Sequence, residues 1–232
     1  MLAVAYPQAC RSCGNSVEQF ADGVACGDCW QATKIYSGAE TLCAKCGAFQ
    51  TAKSSNYQTF CHRCDLHCYD AAAAVGVYGH ALTGSIIHLK REPFVAGRLK
   101  KLLIARFENS AFGAVELIIP VPLSKKRLLE RGYNQAAVLS KILARQTKIN
   151  LDEQSLVRRL DTPMHRVGMD EKARIKSVKD AFEVKRPKLI AGKTILLVDD
   201  VFTSGATVSN CAETLKRSGA KAVFVLTLAK TL

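Results

Sequence analysis

The stretch from Lys193 to Leu228 constrains this chain more than any other. Lys193-Thr-Ile-Leu-Leu-Val-Asp199 is an almost unbroken apolar run, which is how a central strand of a parallel sheet reads, because both its faces are covered. Thr207 to Ser218 has helical character and is closed by Gly219, and Ala222-Val-Phe-Val-Leu-Thr-Leu228 is a second apolar run. Strand, loop, helix and strand within about 35 residues make a βαβ unit, right-handed by rule. The expected class is α/β, a parallel sheet flanked by helices.

Upstream segments carry further helix and strand signals. Ala71 to Tyr78 is apolar and extended, Leu82 to Leu89 and Phe94 to Phe107 carry helical spacing, and Gln135 to Thr147 is an amphipathic helix. Glu116 to Leu123 is a short β-rich run stopping at Pro122, and Leu156 to Arg159 reads as a strand. Asp161 to Lys179 is polar, rich in Lys and Arg, and shows no aromatic surface for stacking a base. Tyr133, Phe182 and Phe202 have the chemistry to stack one, though each reads equally well as core.

Nine of the ten cysteines precede residue 70, and eight form CxxC pairs: Cys10/Cys13, Cys26/Cys29, Cys43/Cys46 and Cys61/Cys64. Two intervening residues let both thiolates and the turn's amides face one ion, as zinc requires. Gly14 and Gly47 follow the second cysteine of two pairs, where a tight knuckle needs positive φ. The simplest arrangement is two sequential sites, Cys10/Cys13/Cys26/Cys29 and Cys43/Cys46/Cys61/Cys64. A cross-braced alternative joins pairs one and three, and two and four; loop-closure entropy favours the sequential one without deciding it. With four thiolates the sites are structural and leave no open position. Cys68, His62 and His67 are left over and read as a loop cysteine and two surface histidines, and Cys211 as helix packing. The expected organisation is a small zinc module over 1–70 and the α/β domain over 71–232.

At the end of the Ile195–Val198 strand stand Asp199 and Asp200, then Val-Phe-Thr203-Ser204-Gly205-Ala206-Thr207 and a helix. Ligands of open α/β sheets bind at the carboxyl ends of strands. Small hydroxyl residues and Gly before a helix offer N–H and Oγ donors to a phosphate. Two carboxylates beside an anion site repel it, so they serve hydroxyls or a bound Mg²⁺. A sugar with cis-hydroxyls and a 5′-phosphate satisfies both halves.

This thirteen-residue run resembles the phosphoribosyl-pyrophosphate (PRPP) motif of type I phosphoribosyltransferases. The resemblance implies that Asp199 and Asp200 hold the ribose hydroxyls, and that Thr203, Ser204, Gly205 and Thr207, with the Ala206 amide, hold the 5′-phosphate, with Mg²⁺ accompanying PRPP. Together with the four CxxC pairs, Ile86-Ile-His-Leu-Lys90, Ile119-Pro-Val-Pro-Leu123, Arg127-xxx-Arg131-Gly-Tyr-Asn-Gln135 and Thr162-Pro-Met-His165 through Phe182, the chain is similar to the ComF-type competence proteins. Where that family more often has Gln and Asn, this chain has His165 and Ser177. The family likeness implies that Lys90, Arg127 and Arg131 lie near the pyrophosphate.

Charge bears on the partner. Residues 1–70 hold five basic and six acidic residues, whereas 28 of the 33 basic and 14 of the 20 acidic residues lie beyond, a balance of +14. Such an excess attracts polyanions. The reading is a competence-type DNA uptake factor binding single-stranded DNA and PRPP, with DNA-uptake machinery proteins as partners; the alternative is an active Mg²⁺-dependent phosphoribosyltransferase with an amine or base acceptor. Met1 to Pro7 has no basic leader, and the longest apolar stretch, Ala71 to Val77, is far below the roughly 20 residues of a membrane span. The expected location is cytoplasmic, or peripheral at the inner membrane face.

Overall fold

The computed structural model describes residues 8–38, 40–50, 60–159 and 181–232. Its N-terminal part contains β1 (Gln8–Ala9), β2 (Ser16–Val17), a 3-10 turn (Phe20–Asp22), α1 (Gly27–Ala32) and a second 3-10 turn (His62–Cys64). Then follow β3 (Ala71–Val77), α2 (His80–Leu89), α3 (Gly97–Glu108), β4 (Leu117–Pro120), α4 (Lys125–Arg131), α5 (Gln135–Thr147) and β5 (Asn150–Leu151). The chain closes with β6 (Leu156–Arg158), β7 (Phe182–Val184), α6 (Pro187–Ile190), β8 (Thr194–Phe202), α7 (Ala206–Arg217) and β9 (Ala222–Lys230). The polar stretch Asp161 to Lys179, with His165 and Ser177, lies outside the described residues.

Five strands form one parallel sheet in the order β3-β9-β8-β4-β5, as the apolar runs require. Alternation along β8 divides the interior in two. Leu196 and Val198 join Leu82, Ile86, Leu99, Leu103, Leu139 and Leu143 from α2, α3 and α5. Ile195 and Leu197 join Val208, Cys211, Ala212 and Leu215 of α7 on the opposite face. The cysteine-rich part contributes to both. Cys10, Cys26, Cys29 and Trp30 are continuous with the first core, and Cys43, Cys46, Cys64 and Tyr69 with the second. Arg98 of α3 fastens the first cysteine cluster, with its guanidinium 3.1 Å from Asp22 and 4.8 Å from the Trp30 ring centroid.

Between the two cysteine clusters the chain runs along the outer edge of β3. Tyr36 N–H donates to Val75 O and Val77 N–H to Lys34 O, both at 2.9 Å. This covers an edge whose open N–H and C=O groups would otherwise invite pairing with another chain. The approach is close enough to demand glycine at 76, where a Cβ would lie 2.4 Å from Lys34 O.

Several boundaries differ from expectation. The helix expected from Phe94 starts at Gly97, because Phe94 is taken up in ring contacts with Phe20 and His88 before the helix begins. β4 ends at Pro120, since proline supplies no ladder donor. The Leu156 strand is outside the parallel sheet and pairs antiparallel with β7. β8 does not stop at Val198 but runs on through both aspartates to Phe202.

Candidate functional site

The eight CxxC cysteines gather into two groups, Cys10/Cys13/Cys26/Cys29 and Cys43/Cys46/Cys61/Cys64, with the four sulfurs of each within 4.8 Å of one another. Sulfur separations are 3.6 and 3.7 Å in the first and 3.1–3.6 Å in the second. A tetrahedron of thiolates about 2.3 Å from zinc has edges of about 3.8 Å, so the cages have the size of that ion. Both are built by the same knuckle. Gly14 N–H donates to Cys10 O and Gly47 N–H to Cys43 O, with both glycines at positive φ, 82° and 67°. Amides aim at sulfur: Ser12 and Cys26 N–H at Cys10 Sγ (both 3.4 Å), Cys61 N–H at Cys43 Sγ (3.3 Å). Burial works against a thiolate at Cys10, but the Cys26, Cys13 and Ser12 amides outweigh it and bring the pKa to about 6. Donor set and cage size therefore fit two structural zinc ions. Cys68, His62 and His67 belong to neither cage.

The acid pair sits where the sheet loses one side. β4 leaves β8 at Pro120↔Val198, whereas β9 stays paired as far as Phe202↔Lys230. Asp199 and Asp200 therefore keep strand conformation with an open flank. Asp200 is buried, and Lys90 Nζ approaches its Oδ2 at 3.1 Å. The two are an ion pair by distance but are not aligned as a hydrogen bond. Asp199 Oδ1 accepts the Asp200 amide at 2.8 Å. Burial, and then the Asp200 charge, push the Asp199 carboxyl well above the ordinary range. Cys211, 0% exposed, lies beneath it in α7, and burial followed by Asp199 raises its thiol.

Thr203, Ser204, Ala206 and Thr207 are exposed around the start of the 12-residue α7. Gly205 occupies the cap position in the left-handed region, φ 78°. The helix N-terminus thus presents amides, hydroxyls and the positive dipole end to solvent. Beneath the loop Phe202 is buried, with Lys230 Nζ 3.7 Å from its ring centroid.

Of the basic candidates, the structure brings Lys90 to the acid pair. Arg131 donates to Gln135 Oε1 at the start of α5, and Arg127 stands exposed on α4, which buries no residue. The turn between those helices is anchored toward the acids: Tyr133 Oη donates to Leu89 O at 2.5 Å, next to Lys90, and Asn134 Nδ2 to Val121 O at 2.9 Å. Phe182 and Phe202 are core, and Tyr133 is half-buried.

No sequence signal assigns His67 or Tyr69 to this site. His67 is a half-buried ring stacked on Tyr69, and burial, then Lys45 and Lys230, lowers its pKa. The surface reading of His67 is thus corrected. Its Nε2 lies 3.1 Å from where a Cβ on Gly205 would stand, a nearness that arises from packing between segments far apart in sequence and that no local signal reveals. Among the described residues no helix is long and apolar enough to cross a membrane.

Two family models match, the double zinc ribbon domain over residues 1–65 and the phosphoribosyl transferase domain over residues 133–231. The DNA utilization protein YhgH of Escherichia coli is 29% identical over 215 residues, covering 89% of this chain and 90% of its own. Competence protein F of Haemophilus influenzae is 37% identical over 117 residues, half of each chain. Competence protein ComFC of Bacillus subtilis is 30% identical over 108 residues, 44% of this chain and 39% of its own.

Proposed function

We propose that this chain, which belongs to the ComF-type family of a double zinc ribbon joined to a phosphoribosyltransferase domain, handles DNA in competence or DNA utilization by binding single-stranded DNA and PRPP. The observation that carries the reading is the juxtaposition at the carboxyl end of β8: two carboxylates with Lys90 at 3.1 Å, beside a left-handed glycine that opens α7. The exposed amides and hydroxyls of 203–207 suit a 5′-phosphate, and the carboxylates suit ribose hydroxyls. Mg²⁺ arriving with PRPP would face Asp199 and Asp200, consistent with its preference for one or two carboxylates plus substrate phosphate. When bound, that ion neutralises pyrophosphate charge; the chain's own residues orient the sugar. Arg127 and Arg131 remain candidates for the pyrophosphate, and the +14 balance beyond residue 70 exceeds the need of one small ligand, which favours a polyanion.

The test is Asp199→Ala combined with Asp200→Ala, scored for PRPP binding and for use of DNA by cells. Loss of both supports the reading, whereas unchanged DNA use makes the pocket irrelevant to it. Binding of single-stranded DNA followed against salt should give a log–log slope of about −0.7 per neutralised phosphate, and a flat line removes the DNA half. Pyrophosphate release from PRPP with a panel of amines and bases would turn the reading toward a transferase.

A further inference from the structure

We infer that the second zinc ribbon forms the back wall of the phosphate loop, with His67 as its positioning residue; this rests on the phosphoribosyl reading of that loop. A Cβ added at Gly205 would lie 2.6 Å from Phe202 Cζ and 3.1 Å from His67 Nε2. The glycine is therefore pressed against two rings, one from β8 and one from the ribbon. His67 stacks on Tyr69 with centroids 5.1 Å apart, and Tyr69 meets Phe202 edge-on at 6.0 Å. The three rings form one support that begins three residues after the last ribbon cysteine.

The backbone of that support is tied down on both sides. His67 N–H donates to Cys64 O at 3.1 Å, and Lys45, between two cysteines of the same cage, donates through Nζ to His67 O at 2.8 Å. Cys68 N–H donates to Ser209 Oγ of α7 at 3.0 Å. Asp70 accepts from Val223 N–H at 2.7 Å and from Lys216 Nζ at 2.8 Å. The first ribbon makes no comparable contact with the loop among the described residues, because it packs on the opposite face of the sheet. Holding Gly205 in its left-handed conformation before ligand arrives removes an ordering cost from phosphate binding. Because the Gly205 backbone rests against the His67 ring, truncating that ring gives the loop space to relax.

The experiment titrates the zinc-loaded full chain with ribose 5-phosphate, using ribose as the probe that lacks the phosphate. His67→Ala should weaken ribose 5-phosphate roughly tenfold, the scale of one lost preorganising contact, with the zinc content unchanged. His67→Phe keeps the ring stack and should recover most of the affinity, and His62→Ala, an exposed ring of the same ribbon, should change nothing. Unchanged affinity in His67→Ala, or no recovery in His67→Phe, overturns the wall. Loss of a zinc ion in His67→Ala also overturns it, since the ring would then serve the cage. If the unmodified chain fails to bind ribose 5-phosphate, the phosphoribosyl reading itself falls and takes the wall with it.

Discussion

Gly76→Ala is the substitution that most directly tests how the ribbons are joined to the sheet. The new methyl would sit 2.4 Å from Lys34 O, 2.9 Å from Leu82 Cδ1 and 3.2 Å from Ile35 Cα. Two of these neighbours are backbone, so relief requires the 34–36 segment to move outward by close to an ångström. That movement breaks the Tyr36–Val75 and Val77–Lys34 hydrogen bonds, each worth about 1 kcal/mol net. Crowding the fully buried Leu82 adds about 1–2 kcal/mol. The sum is about 3–4 kcal/mol, or roughly 6–16 °C in thermal midpoint for a chain of this size. Gly79→Ala is the control: its φ of 178° is ordinary extended backbone and nothing lies within 4 Å of the added carbon, so it should stay within about 0.5 kcal/mol. Thermal and urea unfolding of the zinc-loaded chain read both. A Gly76→Ala loss no larger than that of Gly79→Ala would refute the edge pairing.

Asp199→Asn should raise the thermal midpoint at neutral pH while weakening PRPP. The folded chain holds the Asp199 proton above the pH at which the unfolded chain releases it, so stability falls as pH rises through the acid range until the group is ionised. The gap between variant and parent should therefore open from about pH 4 upward, and a constant gap from pH 4 to 8 would contradict the raised carboxyl. Stripping metal with a strong chelator should release two zinc ions per chain, measured with a colorimetric dye, and abolish cooperative melting, because each cage feeds one of the two cores. One ion per chain, or unaltered melting of the stripped chain, would count against two structural sites.

The parts of the fold legible in the sequence are those whose causes are local. α5 spans Gln135–Thr147 as its periodicity predicts, because Asn134 caps it through the Ala136 amide and Lys148 leaves it in a left-handed conformation. The ribbons group sequential pairs, as short closing loops favour, and the first knuckle of each is closed by its own Gly. Where the cause is distant, the reading falls short. The aspartates look like the start of a loop, yet β9 extends to Lys230 and keeps them in strand conformation. Leu156 to Arg159 reads as a strand, yet nothing local shows that its partner lies beyond residue 180. His67 looks like a surface residue, and only the docking of the second ribbon on α7 places its ring against Gly205.

Strand conformation through the acid pair also constrains how the pocket works. The two carboxyls are close enough for the Asp200 charge and side chain to raise Asp199, yet each is held by a different partner. Asp200 is matched by an ammonium from α2's end, while Asp199 is matched by a neighbouring amide and a tendency to stay protonated. On the proposed reading, a phosphoribosyl ligand meets a site whose charge is largely balanced in advance. Hydroxyls can then exchange for Lys90 at Asp200, freeing that cation for the ligand's own phosphates. A bare acidic pair would repel the pyrophosphate it must sit beside, and Lys90 removes that difficulty by staying within reach of both.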